Sequence, residues 1–447
     1  MSCDSGNATP PSPGIGPGRE LLDPAAYAAM LGRRPEGSID PRVRALVPAF
    51  DAPFFQAGLA GYSDAAMRII ARRHGCPFCV TEALLDRTLL AGGRGFAKAD
   101  LGEIHDNVPG GVEDHPLAGQ IMGSDPREMA ASAVKMIEQA ERTEKEYRLL
   151  AYETPGVLPS THVSSRQHLR LPGGQQVGFW PPDADLKDAS GPRGELKVQG
   201  EIPGATFEVI DVNLACPVKK IEKKARGGHW LAEPDGAIAI LKAVRDALPT
   251  RIVCTVKLRR AFDDTPEMAA NFERILSAAT DLGYAWATVH GRTVEQKYIG
   301  PSRWDLLRDI VLRHPRMMIF GSGDVWTARD IFSMLEYTGV TAVSVARGCI
   351  GNPWIFRQAR EMLAGKPPSK PTIAEQRGVL EEHFNLLLAV CREMRHGEEQ
   401  AGKLIRKFGI RFAEHHPEGE KVRVEMIRVK GLADWQEVLE RWYQPLQ

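Results

Sequence analysis

The 447-residue chain has 43% hydrophobic and 26% charged residues, with 57 basic against 57 acidic side chains. Balanced charge creates no global field that draws polyanions, so any nucleic-acid contact must come from a local patch. Seven scattered cysteines lack the density of a disulfide scaffold, and no uninterrupted apolar run approaches the roughly 20 residues of a membrane helix. With no basic segment leading into an apolar stretch at the N-terminus, a soluble, unexported protein of the reducing cytoplasm is expected.

Residues 1–44 are expected to be a disordered or weakly ordered tail, because their opening stretch is rich in Gly, Pro and Ser and cannot bury enough apolar surface to offset ordering entropy. The run Gly14-Ile-Gly-Pro-Gly18 follows no strand and is interrupted by proline, so it reads as linker rather than a dinucleotide-binding loop. Short apolar, β-branched segments then predict strands at 53–60, 77–82, 117–122, 207–214, 251–258, 285–290, 317–320 and 341–346. Helical patterns alternate with them, over 64–74, 126–140, 234–247, 266–282, 302–312 and 327–337, several opened by a capping residue or proline. Eight such βα units predict an α/β fold, a TIM (β/α)8 barrel spanning 45–365. The alternation breaks at about 141–205, a Pro-, Gly- and Ser-rich insertion between strands 3 and 4 that needs either its own small fold or disorder. Beyond 366 apolar residues recur at helical spacing through 374–394, 403–415 and 422–442, which predicts a C-terminal all-helical domain over 366–447.

In such barrels the working groups gather where the strands end, because the βα loops converge there on one mouth. The strand ends carry Ala60-Gly61, Glu82, Gln120, Asn213 with Cys216, Lys257 with Arg259, His290 with Arg292, Gly321-Ser-Gly-Asp324 and Ala346-Arg-Gly348. A glycine-rich turn after strand 7 and an Arg-Gly turn after strand 8 supply N–H groups and a guanidinium suited to a phosphate, although either alone reads as a tight turn. Lys257 follows the apolar run Ile252–Val256, so its ammonium either meets an anion or snorkels to the rim. His290 reads as a ligand neighbour or as a hydrogen-bonded core residue. Cys216 reads as a small buried hydrophobe or, at a strand end and before Pro217, as a thiol acid. The pair Cys76-Pro-Phe-Cys79 lacks a second pair at zinc-site spacing, so no metal is expected.

Together Asp211-Val-Asn-Leu-Ala-Cys-Pro-Val-Lys-Lys220, Val256-Lys-Leu-Arg259, Val289-His-Gly-Arg-Thr293, Gln296-Lys-Tyr-Ile-Gly300, Gly321-Ser-Gly-Asp324 and Ala346-Arg-Gly-Cys-Ile-Gly-Asn-Pro-Trp-Ile-Phe356 resemble the tRNA-dihydrouridine synthases. The resemblance runs from about Ala52 to the C-terminus, apart from the insertion. It implies an FMN-dependent enzyme that uses NADPH to reduce selected uridines in tRNA, with a helical tRNA-binding domain after the barrel. By position, Gly58, Leu59 and Ala60 match the segment against the flavin, Gln120 and Lys257 match residues binding its ring, and His290 matches a further flavin neighbour. Ser322, Gly323 and Asp324 with Ala346, Arg347 and Gly348 match the phosphate clamp. Cys216 matches the acid that protonates uracil C5 as hydride arrives at C6, and Asn213 and Arg259 match residues holding the uracil in register. Gly58-Leu-Ala-Gly61 stands where the family commonly has Pro-Met-Ala-Gly, Ala83 where methionine is usual and Ser322 where asparagine is common. Two alternatives are a related FMN barrel acting on a free small molecule and a non-catalytic tRNA-binding protein. No stable protein partner is implied.

Overall fold

A computed structural model of the chain describes residues 39–91, 112–138, 169–170, 176–177, 206–217, 226–391 and 396–444. Eight parallel strands form one ring: β1 (Phe54–Gln56), β2 (Cys79–Val80), β3 (Leu117–Met122), β4 (Val209–Leu214), β5 (Val253–Arg259), β6 (Trp286–His290), β7 (Met318–Ser322) and β8 (Ala342–Val345). β1 pairs with both β8 and β2, and β2 pairs with β3, which closes the barrel. The molecule is therefore a TIM barrel followed by a helical C-terminal region.

The side-chain period of a strand explains how the barrel holds both a core and a mouth. On β4 and β5, Ile210, Val212, Leu214, Cys254, Val256 and Leu258 pack outward among the helices. The alternate positions begin with Val209 and Val253 in an apolar floor and continue upward as Asp211, Asn213, Thr255, Lys257 and Arg259. In the floor Phe50 stacks on Phe78 at 4.8 Å and Trp286 on Phe320 at 4.9 Å.

Beneath that floor lies a helix, Pro41–Leu46, N-capped by Asp40, whose side chain accepts from Arg42 N. Ile39 and Val43 are buried against Phe50, so the ordered chain starts earlier than a 1–44 tail allows, because these two apolar residues seal the barrel's base. Residues 1–38 lie outside the described residues, as does the 141–205 insertion apart from the antiparallel pair Leu169–Arg170 and Gln176–Val177. β1 also ends at Gln56 rather than residue 60, and β7 runs on to Ser322, whose partners His290 and Ser344 extend the ladder.

Helices Ile373–Val390, Gly397–Phe412, Gly419–Met426 and Leu432–Trp442 build a second core around Phe384, Ile405, Phe412 and Trp435, to which the barrel contributes Ala66, Ile70 and Trp354. The expected continuous stretch 422–442 is two helices, because Asp434 accepts from Lys430 N (2.8 Å) and restarts the helix after Gly431. No helix among the described residues is long and apolar enough to cross a membrane.

Three histidines with lowered pKa values lie in or beside this second core. His415 meets the Trp354 ring at 5.0 Å, His74 meets it at 5.8 Å, and His383 meets Phe408 at 4.1 Å. Burial lowers their pKa values to about 4 for His74 and His415 and about 3 for His383, with Arg357 adding to the effect at His74. Folded values below the unfolded one mean that the unfolded chain binds protons first as pH falls. Stability is thus fully present above about pH 6.5 and declines toward about pH 4, by up to about 1.4 kcal/mol per pH unit for each histidine. Denaturant midpoints measured across that window should fall with acid, and His383→Gln should flatten the slope; a pH-independent midpoint would contradict this.

Candidate active site

Strand register brings the polar positions to common levels. Gln120 pairs with Asp211, Asn213 with Lys257, Arg259 with His290, and His290 with Ser322, which in turn pairs with Ser344. Above them opens a cavity of about 340 Å³ at the C-terminal ends of the strands. That volume falls within the range of small-molecule sites. Its wall includes Gly58, Leu59, Ala60, Gln120, Asn213, Cys216, Lys257, Arg259, His290, Ser322, Gly323, Asp324, Ala346 and Arg347. Of the residues matched by resemblance to flavin, phosphate, acid or uracil roles, Gly348 alone is absent from the lining. A Cβ on Gly348 would fall 2.3 Å from the Val325 carbonyl oxygen, so its part is to let the two phosphate-type turns pack together.

One side is a hydrogen-bonded chain. Gln120 Nε2 donates to Asp211 Oδ2 (2.6 Å), Thr255 Oγ1 donates to Asp211 Oδ1 (2.7 Å), and Asn213 Nδ2 donates to Gln120 Oε1 (2.8 Å). Burial raises the Asp211 pKa, against the hydrogen bonds and the positive charge of Lys257. Burial likewise lowers the Lys257 pKa, while Asp211 supports its charge from the neighbouring strand. Among the described residues the Lys257 ammonium has no carboxylate within ion-pair distance, so an anion entering the cavity would meet a cation supported only at longer range by Asp211.

Gly58 is forced by close approach: a Cβ there would lie 2.2 Å from Thr81 O and 3.3 Å from Gln120 Oε1. The following residues are pinned by Ser63, whose Oγ accepts from Leu59 N (2.8 Å) and donates to Leu59 O (3.2 Å). The glycine-led segment therefore forms a flat wall against β2 and β3.

Asn213 Oδ1 accepts from Ala215 N (2.9 Å), and Arg259 Nε donates to Ala215 O (3.1 Å), so both fix the turn that carries Cys216. The Cys216 carbonyl accepts from Gly228 N (3.0 Å), and the residue is partly exposed in the cavity wall. Much of the hydrogen-bonding capacity of Asn213 and Arg259 is thus engaged within the protein. Burial lowers the Arg259 pKa to about 10. His290 Nδ1 accepts from Arg292 N (3.2 Å), which leaves the ring proton on Nε2. Burial, then the charges of Arg259, Lys257, Arg292 and Arg347, keep this imidazole neutral far below its ordinary pKa.

At the turn after β7, Ser322 is 1% exposed and its Oγ has no hydrogen-bond partner among the described residues. Asp324 adopts a left-handed φ of 57°, and its carboxylate turns to Arg292 Nη2 (2.7 Å) and Ser302 N (2.7 Å). The same carboxylate lies 3.6 Å from Arg347 Nη2 in the cavity wall. Arg347 lies between two rings, its Cζ 4.9 Å from the Tyr298 centroid and 4.7 Å from that of Trp326. Both rings line the cavity, and neither had been given a role from sequence. Asp211 was likewise missed, although its spacing two residues before Asn213 places it on the same strand face. Cys76 and Cys79 lie away from the mouth with sulfurs 3.8 Å apart, and the described residues contain no cluster able to hold a metal ion.

A family model described as dihydrouridine synthase (Dus) matches residues 202–441, more than half of the chain. The chain is 30% identical over 235 residues to a "Probable tRNA-dihydrouridine synthase" of Mycobacterium leprae (strain TN), covering 52% of this chain and 59% of that protein. It is 32% identical over 248 residues to a protein of the same name from Treponema pallidum (strain Nichols), covering 53% and 69%. It is also 26% identical over 314 residues to "tRNA-dihydrouridine synthase B" of Proteus vulgaris, covering 68% and 92%. The chain spans about three-fifths of the length of several curated relatives it matches. On the strength of the family match, which takes in the strands bearing Asn213, Lys257, His290 and Ser322, the chain belongs to the dihydrouridine synthase family.

Proposed function

We propose that this protein reduces uridines in tRNA to 5,6-dihydrouridine, with FMN in the barrel mouth and NADPH as the reductant. One observation carries the reading: a thiol, a half-buried lysine, a neutral histidine and a buried hydroxyl line one cavity in a chain of this family, the lysine with no ion pair and the hydroxyl with no partner among the described residues.

The residues present fit FMN. Ser322 Oγ and the N–H groups of the turns at 322–324 and 346–348 would hold its phosphate, the segment Gly58–Ala60 would lie against its ring, and Gln120, Lys257 and His290 would bind the ring's polar edge. FMN when bound supplies hydride for uracil C6. The ammonium of Lys257 stabilises negative charge on a ligand, and His290 offers an uncharged N–H donor. Cys216 delivers the proton to C5, a role suited to a thiol whose ordinary pKa of about 8.5 keeps it protonated at neutral pH. Asn213 and Arg259 keep that thiol in place by fixing the turn at Ala215.

A uracil stacked in folded tRNA cannot reach this depth, so it must be everted, which costs a few kcal/mol. The helical region offers cations at the same mouth: Lys407 Nζ donates to Gly61 O (3.4 Å), on the loop that follows the Gly58–Ala60 wall. No glycine-rich dinucleotide loop follows a strand, so NADPH visits the mouth transiently.

The direct test is to incubate purified protein with FMN, NADPH and tRNA and to measure dihydrouridine by mass spectrometry of nucleosides. A colourless protein that takes up no flavin would leave only RNA binding. A yellow protein that oxidises NADPH with a small enone and never modifies tRNA would point to a small-molecule reductase. Lys257→Met is expected to slow reduction of the bound flavin by NADPH by roughly 10- to 100-fold, read as loss of yellow absorbance in stopped flow. An unaltered rate would remove Lys257 from the ring site.

A further inference from the structure

The loop Thr293–Gly300 after β6 is held firmly for a segment at the surface. Arg259 Nη1 donates to Thr293 O and to Lys297 O, both at 2.7 Å, Arg260 Nη2 donates to Gln296 Oε1 at 3.0 Å, and Arg292 Nε donates to Gly300 O at 2.8 Å. Lys297 is fixed in the left-handed region at φ 51°. This braced loop displays two adjacent apolar side chains, Tyr298 at 56% and Ile299 at 77% exposure. A single exposed aliphatic residue is ordinary, but here an aromatic and an aliphatic residue share a rigid tip. Tyr298 also lines the cavity and stacks on Arg347. An occupant of this tip must therefore present flat apolar faces beside negative charge, with one part entering the cavity. Stacked nucleobases on a phosphate backbone meet that description, and apolar wedges at such steps are a known way to stabilise unstacked bases.

We infer that Tyr298 and Ile299 form a wedge that enters the RNA stack, Ile299 filling the place the target uridine leaves while Tyr298 walls the everted base inside the cavity. This rests on the uridine-reduction reading. Three arginines anchor the wedge through the loop's carbonyl oxygens and the Gln296 side chain, so its position is fixed before RNA arrives, and Lys297 supplies positive charge for a flanking phosphate.

The test compares dihydrouridine formation by full-length Ile299→Ala and wild-type protein on a folded tRNA transcript and on a short unstructured oligoribonucleotide carrying the same uridine. A wedge matters only where a base must leave a stack, so the ratio of the tRNA rate to the oligonucleotide rate should fall by roughly 10- to 100-fold. Ile299→Leu should recover most of that ratio, and flavin absorbance and melting temperature report that each variant is folded. A wild-type ratio in Ile299→Ala, or equal losses on both RNAs, would overturn the wedge. A shift of the variant from dimer to monomer with a wild-type tRNA rate would overturn it too, by identifying the tip as a protein interface. Wild-type protein that forms no dihydrouridine in either RNA would instead overturn the underlying reading, an outcome visible without any variant.

Discussion

Cys216→Ala is expected to yield a yellow protein that NADPH still bleaches but that forms dihydrouridine about 10²- to 10⁴-fold more slowly, the usual range for loss of a positioned acid. The expectation follows from where the thiol is held. Its turn is fixed by Asn213 and Arg259 through the Ala215 backbone, so that anchoring survives removal of Sγ. Cofactor reduction and RNA reduction then separate cleanly: rapid-mixing spectra report the first and nucleoside mass spectrometry the second. Cys216→Ser should be nearly as slow, since an alcohol is a far weaker acid than a thiol. If Cys216→Ala modified tRNA at the wild-type rate, the proton would have to come from elsewhere.

Asp114→Ala is expected to be the most damaging single change to stability, about 3–5 kcal/mol, because it strands a fully buried guanidinium. Arg68 donates from Nε and Nη2 to Asp114, the shortest contact being 2.6 Å, and both side chains are at most 1% exposed. Arg68 Nη1 also donates to Ser63 O (2.7 Å), and Ser63 pins Leu59 in the cavity wall. The loss should therefore appear as a lower denaturant midpoint and as weaker FMN retention together. Replacing both partners by apolar residues, Arg68→Met with Asp114→Leu, should restore much of the midpoint, since paired removal leaves neither member of the pair as an unpaired buried charge. A midpoint unchanged by Asp114→Ala would show that water or another acceptor reaches Arg68.

The barrel was legible because its strands alternate sharply between outward apolar and inward positions, as at Ile210-Asp-Val-Asn-Leu214. The mouth was legible because polar residues end those strands. Other features were hidden for identifiable reasons. The helix at Pro41–Leu46 is short, and only burial of Ile39 and Val43 beneath Phe50 distinguishes it from tail. Asp324 reads as a phosphate-turn residue, yet its carboxylate faces Arg292, a partner set by a 32-residue separation that no local pattern encodes. Gly348 belongs to the right motif but acts by close packing on Val325, and Trp326 joins the cavity through tertiary placement alone.

One stretch of chain, Trp354-Ile-Phe356, has its indole in the helical core and its next two side chains in the barrel core. The two lobes are thereby welded without a slack joint. In the proposed reaction that weld acts as a ruler: the span along the RNA between the site of grip and the site of reduction is set by the architecture.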